Sequence, residues 1–335
     1  MITSRALFLL CILSLTATLA AAQTYTITDL GPGQAFAING LGDVVVQPYP
    51  SGNSFVWSPG GKQLSLTPLT AGYPTTPYGI NNQGLVVGLS SNGQGYAAAL
   101  WTNGVPLDLG KLPGATACAG TGITASAEVA GYCFLSTGTT EAFLWSKATG
   151  MQGLGSLQGG GGSIAQAVNR FGQVIGYSPT SRNTNSYAFI WSKTTGMKNL
   201  GTLPRGGVSY AFAINDLGQV AGGSDCGTGC HHAALWSKTK GSILDLGVLQ
   251  GAKGSDAFGI NNVGQVVGSV VYSALVYHYH AFVWSPSTGM LDLNNLIPAN
   301  SGWVLEFAYA INDQGQIVGE GTLNGQQEAF LLTPQ

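Results

Sequence analysis

One phrase recurs seven times along this chain, and the spacing of its copies narrows the fold more than any other feature. Six copies end on Trp: Ser54-Phe55-Val56-Trp57, Ala98-Ala99-Leu100-Trp101, Ala142-Phe143-Leu144-Trp145, Ala188-Phe189-Ile190-Trp191, Ala233-Ala234-Leu235-Trp236 and Ala281-Phe282-Val283-Trp284. The seventh, Ala329-Phe330-Leu331-Leu332, ends on Leu. The marker returns every 44 to 48 residues, at positions 57, 101, 145, 191, 236, 284 and 332. In a chain rich in strand and turn signals, that period is the spacing of β-propeller blades.

Four short motifs recur in fixed order around each marker. The first is apolar and ends in Ile-Asn or Val-Asn, as at Ile80-Asn81 and Val168-Asn169. The second is a β-branched run such as Gln265-Val266-Val267-Gly268, and the third is the Trp phrase itself. The fourth resembles Leu107-Asp108-Leu109-Gly110, with degenerate copies at Leu64-Ser65-Leu66 and Gly153-Leu154-Gly155. Each is bounded by Gly, Asn, Ser or Pro, which is how short strands are punctuated. Four strands per repeat make a propeller blade.

Motifs one and two are joined by Asn-x-x-Gly in six repeats, for example Asn39 to Gly42 and Asn312 to Gly315. Asn at the first position of a turn can accept from the backbone two residues on, and Gly suits the left-handed position that follows. The third repeat departs from this rule, with Thr124 and Ala127 in those places. Cys118 and Cys133 lie on its two flanking strands, roughly symmetric about the turn. A disulfide between them is expected to staple the poorer hairpin, a cross-link worth up to roughly 3 kcal/mol for a loop of this size.

Counting the motifs closes a ring. The fourth motif appears first at Thr28-Asp29-Leu30-Gly31, before any repeat is complete, and the last repeat stops after its third motif. The N-terminal strand is therefore expected to complete the last blade. The fold expected is all-β: a seven-bladed propeller of four-stranded blades, occupying residues 23–335 as one domain.

The same vocabulary resembles the HAF-repeat family of extracellular repeat proteins. His280-Ala281-Phe282-Val283-Trp284, followed by Gly289-Met290-Leu291-Asp292-Leu293, is the best local match. Other copies carry Glu141, Tyr187 or Glu328 at the His position, so that His is not required by the repeat. The resemblance implies export and a propeller-like fold, and no activity.

The N-terminus agrees with export. One early positive charge, the uncharged apolar run Ala6 to Leu19, and Ala20-Ala21-Ala22 read as a signal peptide over residues 1–22, cleaved before Gln23. Cys11 lacks a small-residue lipobox, which argues against a lipid anchor, and no second apolar run follows to hold the chain in a bilayer. With 8% charged residues and a formal net charge of −2, the chain has no basic surface with which to displace counterions from nucleic acid. A secreted or periplasmic location is expected, without membrane insertion after cleavage.

Strands alternate in direction within a blade, so the links after motifs two and four share one face. Those links vary widely, and variable loops on a rigid scaffold are where binding chemistry sits. Tyr272, Tyr277, His278, Tyr279 and His280 fall in the longest hairpin link, either as a stacking surface for sugar rings or peptides, or as a loop packing its own tip. Trp303 and Glu306 fall in the longest link between blades, as a ligand platform or as a plug over the ring closure. Cys226-Gly227-Thr228-Gly229-Cys230-His231-His232 carries zinc-type residues, but its second half is missing, and a Cys226–Cys230 disulfide is expected instead of a metal. Asp225, Asp256, Glu306 and Glu320 are the carboxylates expected on this face, in different blades and with no spacing that pairs them.

No nucleophile elbow, zinc-protease motif, phosphate loop or dinucleotide fingerprint is present. The expected function is a secreted, non-enzymatic binding module without catalytic residues, cofactor or metal, whose partner is a glycan or an exported protein. The alternatives are an extracellular carbohydrate-active lyase or hydrolase on a propeller scaffold, or a structural envelope protein. Carboxylates or histidines converging on the ring axis would favour the enzyme; an axis lined by apolar and amide groups would favour the binder.

Overall fold

The computed structural model describes residues 23–50, 52–180, 183–237, 242–273 and 278–335. The signal peptide expected over 1–22 and Tyr277 both lie outside the described residues. Seven four-stranded antiparallel sheets form the blades of a seven-bladed propeller, six of them running in chain order from inner strand to outer one. The degenerate outer strands Lys62–Ser65 and Gly150–Gly153 take their places in blades 1 and 3. Helical structure among the described residues is confined to two 3-10 turns, Leu157–Gly159 and Leu293–Asn295.

The ring closes as the motif count requires. Tyr25–Asp29 pairs with Gln326–Pro334 as the outer strand of blade 7, with Tyr25 opposite Pro334 and Asp29 opposite Phe330. Beyond the ladder, the Gln335 amide donates to the Thr24 carbonyl at 2.9 Å.

Each blade is covered on both sides, so the core is divided into seven clusters, one at each blade interface. Between blades 6 and 7, Val267, Val283 and Leu293 pack against Leu305, Ile317, Phe330 and Leu332. Between blades 2 and 3, Val87 and Leu100 meet Val129, Phe143 and Trp145. The Phe of the repeated phrase is fully buried at positions 143, 189, 282 and 330, each such side chain contributing roughly 1.5–3 kcal/mol by leaving water.

The Gly that ends motif two has a steric cause. In the inner strand of every blade at least one residue is skipped by the ladder, for instance between Ala165 and Ala167 and between Ala211 and Ala213. Such a bulge thrusts the carbonyl two residues upstream toward the second strand. A Cβ at Gly176 would overlap the Ile164 carbonyl oxygen, and one at Gly222 that of Tyr210. Gly fills this crowded position in six blades, whereas blade 1 places the buried Val46 opposite Ala35 beside its own bulge.

The Asn of motif one binds the blades together. Its Oδ1 accepts from the amides two and four residues on, as Asn215 does from Leu217 at 3.1 Å and Gln219 at 2.9 Å. Its Nδ2 donates to the carbonyl of the equivalent residue in the next blade: Asn169 to Asn215, Asn215 to Asn261, Asn261 to Asn312, Asn312 to Asn39, Asn39 to Asn81 and Asn81 to Thr124. Blade 3 cannot continue this chain of donors. Thr124 has no side-chain amide; its hydroxyl accepts from the Glu128 backbone amide at 3.0 Å, and Ala127 takes the left-handed φ of +63° in place of Gly. Cys118 and Cys133 stand directly opposite one another in that hairpin and form the expected disulfide, with Cα atoms 4.0 Å apart. Cys226 and Cys230 are bonded as well.

The variable face differs from expectation in one respect: much of what reads as loop is strand. Blade 6 extends Val266–Ser273 and His278–Ser285, with Val271 opposite Tyr279 and Ser273 opposite His278. The inner strand of blade 7 begins at Trp303 and runs to Ile311, with Trp303 opposite Leu323. Tyr272, His278, Tyr279, Trp303 and Glu306 are thus strand residues; His278, Tyr279 and Trp303 have ladder partners, while Tyr272 and Glu306 are skipped at bulges.

Candidate functional site: the axial cavity and its rim

One skipped residue of each inner strand is re-aimed by its bulge toward the ring axis. These residues are Phe36, Tyr78, Thr121, Gln166, Phe212, Phe258 and Tyr309, each omitted from its inner ladder; Thr116 and Glu306 are skipped as well, nearer the start of their strands. With Tyr132 the seven line a cavity of about 330 Å³. Five of the seven are aromatic, and their rings touch in sequence. Phe212 and Phe258 have centroids 5.5 Å apart, Phe258 and Tyr309 5.9 Å, Tyr309 and Phe36 5.5 Å, and Phe36 and Tyr78 5.9 Å. The collar opens only at blades 3 and 4, where Thr121 and Gln166 supply a hydroxyl and an amide. Burial, then the neighbouring Tyr132, pushes the Tyr78 phenol up; burial likewise raises Tyr132, so both present neutral O–H groups.

At blade 7 the collar is tied to a buried carboxylate. The Tyr309 hydroxyl donates to Glu320, which also accepts from Gln34 at 2.7 Å and Gln327 at 2.8 Å. Glu320 is 3% exposed, and these three neutral donors satisfy it. Burial and the Glu320 charge hold the Tyr309 phenol well above its ordinary range, so it remains a donor. Glu306 lies in the same blade, and burial followed by the Glu320 charge pushes its carboxyl up.

Asp225 and Asp256 are also brought together, although they belong to blades 5 and 6. His231 lies between them, with Nδ1 2.9 Å from Asp225 and Nε2 3.0 Å from Asp256. The Asp256 hydrogen bond lifts this imidazole most, burial opposes it and Asp225 adds to it; the pKa is pushed up to about 9. Gly223 makes the room, since a Cβ there would strike both Asp256 and His231. The expectation that the four carboxylates are unpaired is therefore corrected: two share His231 and two share blade 7, because adjacent strands and adjacent blades converge at this end of the ring.

The remaining candidates take separate places. Tyr272 stacks on His278 at 5.1 Å and meets His280 edge-on at 5.0 Å, while His280 Nδ1 lies 2.7 Å from Asp292. Tyr279, on the opposite side of that strand, packs on Phe307 of blade 7 at 4.8 Å. Trp303 stands edge-on to Phe330 at 6.1 Å and packs against the core between blades 6 and 7, as a plug at the closure would. The Asp of motif four caps its own turn, as at Asp108, where Oδ1 accepts from Gly110 at 2.9 Å.

The collar itself escapes a reading by period-2 alternation, because a bulge breaks the period at the residue that matters. Its signal is a large residue between two small ones just before Ile-Asn, as in Ala211-Phe212-Ala213 and Ala257-Phe258-Gly259.

No protein-family model matches the chain, and no curated protein matches it in sequence. Solved structures match its fold. A streptogramin B lyase aligns over 93% of this chain and 98% of its own at 9% identity, with a TM-score of 0.54. A catalytically inactive variant of virginiamycin B lyase from Staphylococcus aureus, solved with quinupristin, aligns over 92% and 99% at 10% identity, also with a TM-score of 0.54. A puromycin hydrolase aligns over 87% of this chain and 50% of its own at 14% identity, with a TM-score of 0.56. At such identities the likeness is one of fold.

Proposed function

We propose that this protein is an exported, non-enzymatic binding module whose ligand enters the axial cavity from the variable face. The aromatic collar carries this reading: its rings, hydroxyls and one amide match the axis expected of a binder. Stacked rings suit the apolar face of a sugar or an aromatic side chain, and Gln166, Thr121 and the tyrosine hydroxyls suit its polar edge. The lyases and hydrolase among the structural neighbours keep an enzyme as the second reading, with His231 as its strongest residue. That residue argues against it, because both imidazole nitrogens face carboxylates and no lone pair is left to act as a base. Two disulfides accord with life outside the cytoplasm, as does the HAF-repeat resemblance.

The test is a broad glycan array probed with residues 23–335, repeated with Gln166→Ala and Phe258→Ala. A selective signal lost in both variants supports the axial site. A signal indifferent to both places binding elsewhere on the ring, and a blank array sends the search to exported protein partners by pull-down.

A further inference from the structure

Blade 6 carries a second arrangement that the axial reading does not use. His278 and His280 sit two apart at the start of its third strand, and their Nε2 atoms are 3.2 Å from one another. His280 Nδ1 is 2.7 Å from Asp292 Oδ2. That carboxylate fixes the tautomer: Nδ1 carries the proton and donates it, so Nε2 presents a lone pair toward His278. Tyr272 packs against both rings and fixes their planes.

The geometry points to a binding site for a divalent first-row transition ion, held by His278 Nε2 and His280 Nε2 and open to solvent on its remaining sides. Neutral imidazole suits Zn²⁺, Cu²⁺ and Ni²⁺. With metal–nitrogen bonds of about 2.0–2.1 Å, two nitrogens 3.2 Å apart subtend about 100° at the metal, near the tetrahedral angle. A carboxylate on the distal nitrogen is the usual partner of a metal-ligating His, orienting the ring and raising its basicity.

The repeat supplies an internal comparison. Blade 5 places Cys230 and His232 at the positions of His278 and His280, with Asp245 on His232 Nδ1 at 2.9 Å, where Asp292 holds His280. There Cys230 is bonded to Cys226, which stands where blade 6 has Tyr272. His231 has both nitrogens engaged by carboxylates. Of the four histidines in the chain, only His278 and His280 turn nitrogens toward each other.

The experiment is calorimetric titration of tag-free, oxidised protein with Zn²⁺ and with Cu²⁺, together with the Cu²⁺ electron paramagnetic resonance spectrum. One equivalent is expected, with nitrogen hyperfine structure from two imidazoles. His278→Ala and His280→Ala should each weaken binding at least tenfold, the double variant should abolish it, and Asp292→Asn should weaken it tenfold to a hundredfold. His278 is exposed, so His278→Ala tests the site in a protein whose melting temperature is unchanged. Absence of binding by the parent, or full binding by the double variant, overturns the proposal. So does an equivalent that persists there and is lost in Cys226→Ser/Cys230→Ser, which would move the site to blade 5.

Discussion

The side-chain amide of Asn312 donates to the main-chain carbonyl of Asn39 at 3.1 Å, across 273 positions of sequence and the seam of the ring. The same group donates to Gln316 Oε1 at 2.8 Å, and its oxygen accepts from the amides of Gln314 and Gln316. One buried side chain thereby shapes its own turn and holds the last blade to the first.

Asn312→Ala leaves the Asn39 carbonyl and two turn amides without these partners. Unsatisfied buried groups cost about 1–3 kcal/mol each, so a loss of at least about 2 kcal/mol is expected in urea unfolding. Asn312→Asp keeps the acceptor and loses the donor; it should fall between the parent and the Ala variant.

Blade 3 is the place to gain stability. Ala127 holds a φ of +63°, a conformation costing an L-residue about 1–2 kcal/mol. Ala127→Gly relieves that strain and loses part of it to the freer unfolded chain. A net gain of about 0.5 kcal/mol is expected in the same assay, and Ala127→Val should move the other way.

Cys118→Ser/Cys133→Ser removes the staple from the same hairpin, whose cysteines are 15 positions apart. A loss of roughly 3 kcal/mol is expected in thermal or urea unfolding. Reduction by a dithiol should cost the same amount in a Cys226→Ser/Cys230→Ser background, where Cys118–Cys133 is the one bond left to reduce.

His231 predicts a falling stability at alkaline pH. Its folded-state pKa is raised from 6.5 to about 9, so the folded protein binds a proton that the unfolded chain releases earlier. The contribution is fully present below pH 6.5 and is lost as pH rises through about 9. Melting temperature should decline across that window in the parent, and His231→Gln should flatten this part of the profile.

Gly176→Ala places a methyl against the Ile164 carbonyl at a bulge that cannot relax without moving the inner strand. A cost of about 1–3 kcal/mol is expected from such overpacking. Gly61→Ala, where a Cβ would meet no atom, isolates the separate cost of a left-handed φ.

How far the sequence was readable depended on distance along the chain. The Trp phrase and Asn-x-x-Gly are local signals repeated in register, so blade number, hairpin turns and the strand swap at the closure were all legible. So was Cys118 facing Cys133, because a hairpin of constant turn length sets its own register. The collar was hidden, since Phe212 reaches the axis only through a bulge that interrupts alternation. The meeting of His231 with Asp256 was hidden too, because it joins two blades that no sequence spacing relates. Tyr272 and Trp303 looked like loop residues because ladder pairing carries their strands past the ends suggested by composition.

The swap at the closure has a consequence in time. Tyr25–Asp29 has its ladder partner in Gln326–Pro334, which is made much later. At about 5–20 residues per second, the roughly 300 intervening residues take about 15–60 s to synthesise. During that interval the strand waits as a short, threonine-rich ribbon with no sheet to join, and six blades can assemble only as an open arc. The last blade is thus a latch, and the circle becomes a circle only when its first and last segments meet.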